Sequence, residues 1–191
     1  MPDNFATYPS LNGMPVVVSG GASGIAEFIL REFAGQGSKV GFVDIMGEAG
    51  RKLEAELTGK GQAVRFIECD ITDIPAYQKA IGDFAAAHGP ALALANNAAH
   101  DLRHKLEDVT PQFWDERIAV NLKHAFFAAQ AVAPGMKAVG KGSIINFGSI
   151  SWMIMLSELS AYTASKAAMH GMSRTLAREL GKDGIRVNTL V

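Results

Sequence analysis

Tyr162 and Lys166 stand four residues apart in a stretch with helical patterning, so their side chains share one helix face. An ammonium close to a phenol favours the phenolate and lowers its pKa, which makes Tyr162 a candidate general base. Only one of the three tyrosines has this partner, because the positions four residues after Tyr8 and Tyr77 are Asn12 and Ile81. Taken alone, the same spacing also describes an ordinary surface cation–aromatic pair. Ser149 lies upstream, just past a short apolar run. In a parallel α/β sheet, ligands bind at that carboxyl edge.

A second cluster lies near the start of the chain, where Val16-Val17-Val18 runs into Ser19-Gly20-Gly21-Ala22-Ser23-Gly24-Ile25-Ala26. Glycines there permit a tight turn and let the backbone approach a pyrophosphate at a helix N-terminus. The spacing is G-x-x-x-G rather than G-x-G-x-x-G, so its position after the first strand carries much of the inference. Asp44 closes the next apolar run, at the distance where a carboxylate can accept hydrogen bonds from a ribose diol and repel a 2′-phosphate. Its neighbours Ile45 and Met46 are uncharged. The expected cofactor is therefore NAD rather than NADP; the simpler alternative is that Asp44 only caps the following helix.

These residues need a scaffold, and the patterning predicts one. Apolar runs at 16–18, 40–43, 63–67, 91–95, 143–147 and 185–191 read as strands, most without polar alternation, as strands covered on both faces should be. Helical patterns fall near 25–36, 47–58, 74–88, 111–138 and 160–182. Two starts are marked by Asp73 with Pro75, and by Thr110 before Pro111. Alternating strands and helices predict an α/β fold, a doubly wound parallel sheet in one Rossmann-like domain spanning 1–191.

Composition narrows the function classes. The chain has 191 residues, 48% hydrophobic and 19% charged, which disfavours disorder. Lys plus Arg number 18 against 19 for Asp plus Glu, so nucleic acid is not an expected partner. No apolar run is long enough to span a bilayer, and Met1-Pro2-Asp3-Asn4-Phe5-Ala6 lacks the basic start and apolar stretch of a secretion signal. A single cysteine, Cys69, excludes an intramolecular disulfide and fits a cytoplasmic setting.

Taken together, Ser19-Gly20-…-Gly24-Ile25, Asn96-Asn97-Ala98, Asn121, Ser149, Tyr162-…-Lys166 and Arg186-Val187-Asn188 occur in the order typical of the short-chain dehydrogenase/reductase superfamily. The chain resembles that family from about Leu11 to its end. The resemblance implies Tyr162 as acid/base, Ser149 bonded to the reacting oxygen, Lys166 on the nicotinamide ribose and Asn121 holding a water in a proton relay. It further implies that Gly20, Ser23, Gly24, Ile25, Asp44, Asp70, Ile71 and Asn97 line the dinucleotide, together with Tyr162 and Lys166. Asp101-Leu102-Arg103-His104, Trp114-Asp115-Glu116-Arg117 and Asn146-Phe147-Gly148-Ser149-Ile150-Ser151-Trp152 are similar to NAD-dependent aldose 1-dehydrogenases of the D-xylose type.

That narrower resemblance implies a small-molecule sugar substrate with contacts from Arg103, His104, Ser151 and Trp152, while the superfamily resemblance implies a homo-oligomer, dimer or tetramer. Asp101 and Asn146 join the candidate pocket residues as further hydrogen-bonding groups. Met153, Met155 and Leu156 leave open another secondary alcohol or ketone, such as a hydroxyacyl, steroid or polyol. A non-catalytic dinucleotide binder is disfavoured, because it has no need of a paired phenol and ammonium. Three departures stand out: Ala26 replaces a usual glycine, Ala99 ends the Asn-Asn-Ala motif, and the family fold continues beyond a point equivalent to Val191. The last suggests that the C-terminal part of the family fold is missing. No metal is expected: His100 and His104 lack an H-E-x-x-H pattern and a cysteine cluster.

Overall fold

Pro15–Ser19 form β1, and all five residues are buried, so this strand is covered on both faces. The computed structural model describes residues 6–191; Met1–Phe5, within the stretch read above for a secretion signal, lie outside the described residues. After β1 come α1 (Gly24–Gly35), β2 (Lys39–Asp44), α2 (Gly47–Gly59), β3 (Val64–Glu68), α3 (Ile74–His88) and β4 (Ala93–Asn96). The second half holds α4 (Pro111–Ile118), α5 (His124–Val139), β5 (Gly142–Phe147), α6 (Ser160–Leu180) and β6 (Ile185–Leu190). The six strands are parallel in the order β3-β2-β1-β4-β5-β6. The order reverses at β1 and β4, the topological switch point where such sheets bind ligands.

Two apolar clusters sandwich the sheet. On one face Val16, Val18, Val40, Phe42 and Phe66 pack against Ala26 and Leu30 of α1 and Leu53 and Leu57 of α2. On the other, Val17, Leu94, Ile144 and Val187 meet Tyr77, Ile81, Ala128, Val132, Leu176 and Leu180 from α3, α5 and α6. The predicted helix starts are real caps: Asp73 accepts from Ala76 N at 3.1 Å, and Thr110 accepts from Phe113 N at 3.1 Å. Ala26 is fully buried among the first cluster, so the methyl that replaces the glycine hydrogen is accommodated. Ala99 is not among the non-glycine residues with positive φ, so its backbone does not require glycine.

One expectation is corrected. The stretch read as one helix at 111–138 is interrupted by a π turn at Ala119–Lys123, which splits it into α4 and α5. A π turn keeps the backbone helical on both sides, so residue types alone do not mark it. β6 alternates as its residue types imply, with Ile185 and Val187 buried while Arg186 and Asn188 are exposed.

Candidate active site

The site assembles along the carboxyl ends of β1, β2, β4 and β5. Its first component is the turn between β1 and α1. Gly20 has φ of +74°, and a Cβ there would lie 2.9 Å from Ala98 Cα. A Cβ on Gly21 would sit 2.7 Å from the buried Phe42 ring. Both positions therefore require glycine, and the backbone hugs the sheet edge. Ser19 ties this turn to the loop after β4, its Oγ accepting from Asn97 N at 3.1 Å and Ala98 N at 3.2 Å.

Ser23 precedes α1 without making a side-chain cap bond, which leaves first-turn N–H groups available to an anion. Ser23, Gly24 and Ile25 are exposed at this mouth. A dinucleotide pyrophosphate fits such a cradle: glycines without side chains, free amides and an uncapped helix start. Asp44 is buried, its Oδ2 accepting from Ala22 N and its Oδ1 from Met46 N, each at 2.9 Å. It thus braces the glycine turn as well as the entry to α2, and a carboxylate retains further lone pairs for a diol. Asp70 holds Thr72 through two 2.8 Å bonds and is exposed beyond β3. The Ile71 side chain is buried in the apolar core rather than lining open space.

The second component is the polar interior behind β4 and β5. Asn96 Nδ2 donates to Asn146 Oδ1 at 2.8 Å, and Asn146 Nδ2 donates to Ser173 Oγ at 2.8 Å. These bonds tie β4, β5 and α6 together at fixed angles. Asn146 is fully buried in this chain, so it is an internal strut and not the pocket residue the sequence suggested. Asn121 sits in the π turn, also fully buried. Its Nδ2 donates to His100 O at 3.0 Å and its Oδ1 accepts from His100 N at 2.8 Å. Each end of its amide makes one bond to the same backbone residue.

Tyr162 and Lys166 emerge from the first two turns of α6. Lys166 is 2% exposed, its Nζ donates to Phe147 O, and it lies 5.5 Å from the Tyr162 ring centroid. Burial pulls the ammonium down to about 8. The phenol of Tyr162 shifts upward from its ordinary value because it is half-buried; Ser149 pulls it down and Asp101 pushes it up. Desolvation is thus the largest influence on the phenol in this structure. Ser149 caps the following 3-10 turn, its Oγ accepting from Ser151 N at 3.1 Å.

A further buried titratable group lies near Lys166. His124, the first residue of α5, is fully buried with neither ring nitrogen hydrogen-bonded. Burial first, and the nearby Lys166 charge second, lower its pKa to about 3, so it is neutral. A lone histidine on an apolar face carries no sequence signal of this kind.

The expected substrate residues divide. Trp152 is exposed beside Ile150, Met153 and Ile154, whereas Ser151 is buried. Arg103 and His104 reach the segment before α6: Arg103 NH1 donates to Ser157 O at 3.0 Å, and His104 N donates to Glu158 O at 2.9 Å. That segment contains Met155 and Glu158 at φ of +56° and +58°, left-handed conformations worth roughly 1–3 kcal/mol of strain each for such residues. His100, the other histidine of the expected non-metal pair, packs its ring against the Arg117 guanidinium. Cys69 is partly buried, its thiol pushed up by burial and by Asp73 and Asp70, which makes it a poor nucleophile.

A glycine cradle at the switch point and a Tyr–Lys pair beside a serine at the end of β5 define a dinucleotide-dependent oxidoreductase site. The short chain dehydrogenase family model matches residues 15–191, and the protein belongs to that family. Over 97% of its length it is 50% identical to the D-xylose 1-dehydrogenase of Caulobacter vibrioides (strain NA1000 / CB15N), covering 73% of that protein. It is 43% identical to the probable galactose dehydrogenase GalD of Rhizobium meliloti (strain 1021), with 96% of this chain and 72% of that one covered. Among solved structures, a metagenomic short-chain oxidoreductase in complex with NADP superposes with a TM-score of 0.90 at 33% identity, covering 94% of this chain and 82% of the other. Among the described residues, no helix is long and apolar enough to cross a membrane.

Proposed function

We propose that the protein is an NAD-dependent aldose dehydrogenase of the cytoplasm that oxidises the anomeric carbon of a small sugar to a lactone. The observation that carries this reading is the buried Lys166 beneath Tyr162, with Ser149 alongside, at the carboxyl edge of β5. Relatives named for D-xylose and galactose supply the substrate class.

Ser149 Oγ orients the reacting hydroxyl, and Tyr162 Oη takes its proton as general base. Lys166 Nζ, anchored on Phe147 O, places an ammonium beside the phenol, where its charge favours the phenolate, and would bind the ribose of a bound nicotinamide. Asn121 fixes His100 and the π turn, and would hold a water in the proton relay there. The nicotinamide ring, when bound, supplies the acceptor for the hydride leaving the anomeric carbon. Gly20, Ser23, Gly24, Ile25, Asn97, Asp70 and the backbone at Ile71 would line the bound dinucleotide, with the glycine turn and the uncapped start of α1 suited to its phosphates. Asp44 favours NAD because its carboxylate suits a diol and repels a 2′-phosphate, although two structural neighbours are described in complex with NADP and NADPH.

Trp152 offers an aromatic face to the C–H surface of a sugar. A second reading, an apolar secondary alcohol, is favoured by the exposed Ile150, Met153, Ile154 and Met155 at the rim. Small residues Ala164, Ala168 and Gly171 along α6 support close packing with a second copy. Dinucleotide reduction measured with pentoses, hexoses, 3-hydroxyacyl compounds and steroid alcohols, using NAD and NADP in parallel, tests this reading. Oxidation of a pentose or hexose with NAD preferred is expected. In Asp44→Ala the preference narrows by about tenfold, roughly 1.4 kcal/mol of discrimination. Turnover of steroid alcohols but no sugar, or equal use of both cofactors by the wild type, overturns the corresponding part.

A further inference from the structure

From the contacts of the loop after β4 we infer that His104 is a positioning residue for Tyr162, not a substrate contact, and that Arg103 works with it to clasp the start of α6. Leu102 O, 3.0 Å from His104 Nδ1, can only accept, so Nδ1 carries the proton. His104 Nε2 then accepts from Ser160 Oγ at 2.9 Å and Ala161 N at 3.4 Å. Ser160 and Ala161 are the first residues of α6, and Leu159 before them provides no side-chain cap. The imidazole therefore supplies, from 56 residues away, the capping acceptor that this helix lacks in its own sequence. Tyr162 is the next residue.

Two further sets of contacts make this a clasp and not an isolated bond. Backbone N–H of His104 and the Arg103 guanidinium hold Glu158 O and Ser157 O, fixing the bend that contains the left-handed Met155 and Glu158. On its other side the His104 ring meets Phe113 of α4 nearly edge-on at 4.9 Å. Arg117 lies over the same Phe113 at 5.4 Å and touches the His100 ring, whose backbone Asn121 grips. A continuous chain of contacts thus joins the Asn121 turn to the first turn of the Tyr162 helix. Releasing it leaves the strained bend free to relax and the phenol free to drift from Ser149. A misplacement of about 1 Å can cost on the order of a hundredfold in rate.

The inference rests on the dehydrogenase reading above for its kinetic arm only. The full chain and its His104→Ala and His104→Gln variants are compared in steady-state aldose oxidation and in amide hydrogen exchange, with α1 as the internal folding control. In His104→Ala, kcat falls by about ten- to a hundredfold while the dinucleotide and aldose KM stay within about twofold. The Ala161 amide exchanges at least about tenfold faster. His104→Gln, whose Oε1 reaches the place of Nε2, restores most of both. A raised aldose KM at unchanged kcat assigns His104 to the substrate and overturns the inference. So does an unchanged Ala161 amide, or a loss that glutamine does not rescue while α1 exchange stays normal. If the wild-type chain oxidises no aldose, the proposed substrate fails and the exchange comparison alone decides: accelerated in alanine and restored in glutamine supports the clasp, and any other pattern rejects it.

Discussion

The two halves of the sheet solve different problems with different materials. Around β1, β2 and β3 the packing is largely apolar, built from Val16, Val18, Leu30, Phe42 and Phe66 with Ser19 and Asp44 as buried polar groups, and the edge toward a ligand is mostly main chain, bare at Gly20 and Gly21, beside the Asp44 carboxylate. Around β4, β5 and α6 the interior holds Asn96, Asn121, His124, Asn146, Lys166 and Ser173, all nearly or fully buried. A pyrophosphate is recognised by backbone amides, so its half needs only an ordinary core and a tight turn. Proton transfer needs side-chain atoms at fixed distances and angles, and a hydrogen-bonded interior supplies that fixity at the risk of unpaired polar groups. His124, with both ring nitrogens unbonded, shows that risk realised.

This contrast predicts that the halves fail in different ways. Tyr162→Phe keeps the ring and removes the proton-accepting oxygen, so turnover falls by about 10²- to 10⁴-fold. Dinucleotide binding, followed by protein fluorescence, stays near wild type. Parallel loss of binding would dissolve the separation between halves.

Gly20→Ala strikes the other half. The added methyl meets Ala98 Cα at 2.9 Å in a left-handed conformation. It costs roughly 1–3 kcal/mol in urea unfolding and weakens dinucleotide affinity, while Tyr162 and Lys166 keep their geometry. Residual enzyme saturated with dinucleotide should therefore retain a kcat within a few-fold of wild type. A kcat collapse at saturation would show that the turn also sets the reaction centre.

The smallest effect probes the polar interior itself. Folded His124 titrates near 3, below its ordinary value of 6.5, so the unfolded chain binds a proton that the folded chain refuses across that window. Stability therefore falls as pH drops from about 6.5 toward 3. His124→Leu removes this component, and its loss of unfolding free energy between pH 7 and 5 should be smaller than that of wild type by on the order of 1–2 kcal/mol. Equal pH slopes would mean that His124 is not held neutral by burial.

Much of this molecule was legible in local sequence. The parallel strands announced themselves as apolar runs because both faces of β1 are covered, and the capped helices because Asp73 and Thr110 bond amides three residues away. The glycine turn was readable for the same reason: Gly20 and Gly21 are dictated by a local turn and its immediate packing, which leave a fixed spacing behind. Tyr162 and Lys166 share a helix face by simple periodicity.

What the sequence could not decide are relations between segments. The π turn at Ala119–Lys123 adds one residue without changing composition, and it places Asn121 against the backbone of His100. Asn146 reads as a pocket donor at the end of a strand, yet its side chain bridges Asn96 and Ser173 inside the fold. The direction of the Tyr162 shift follows from half-burial, a quantity that no spacing encodes. His104 looks like a pocket residue until α6 is seen to start without a cap of its own. Residue type fixes which bonds a side chain can make; only packing from distant segments fixes which partner is close enough, and how dry the space between them is.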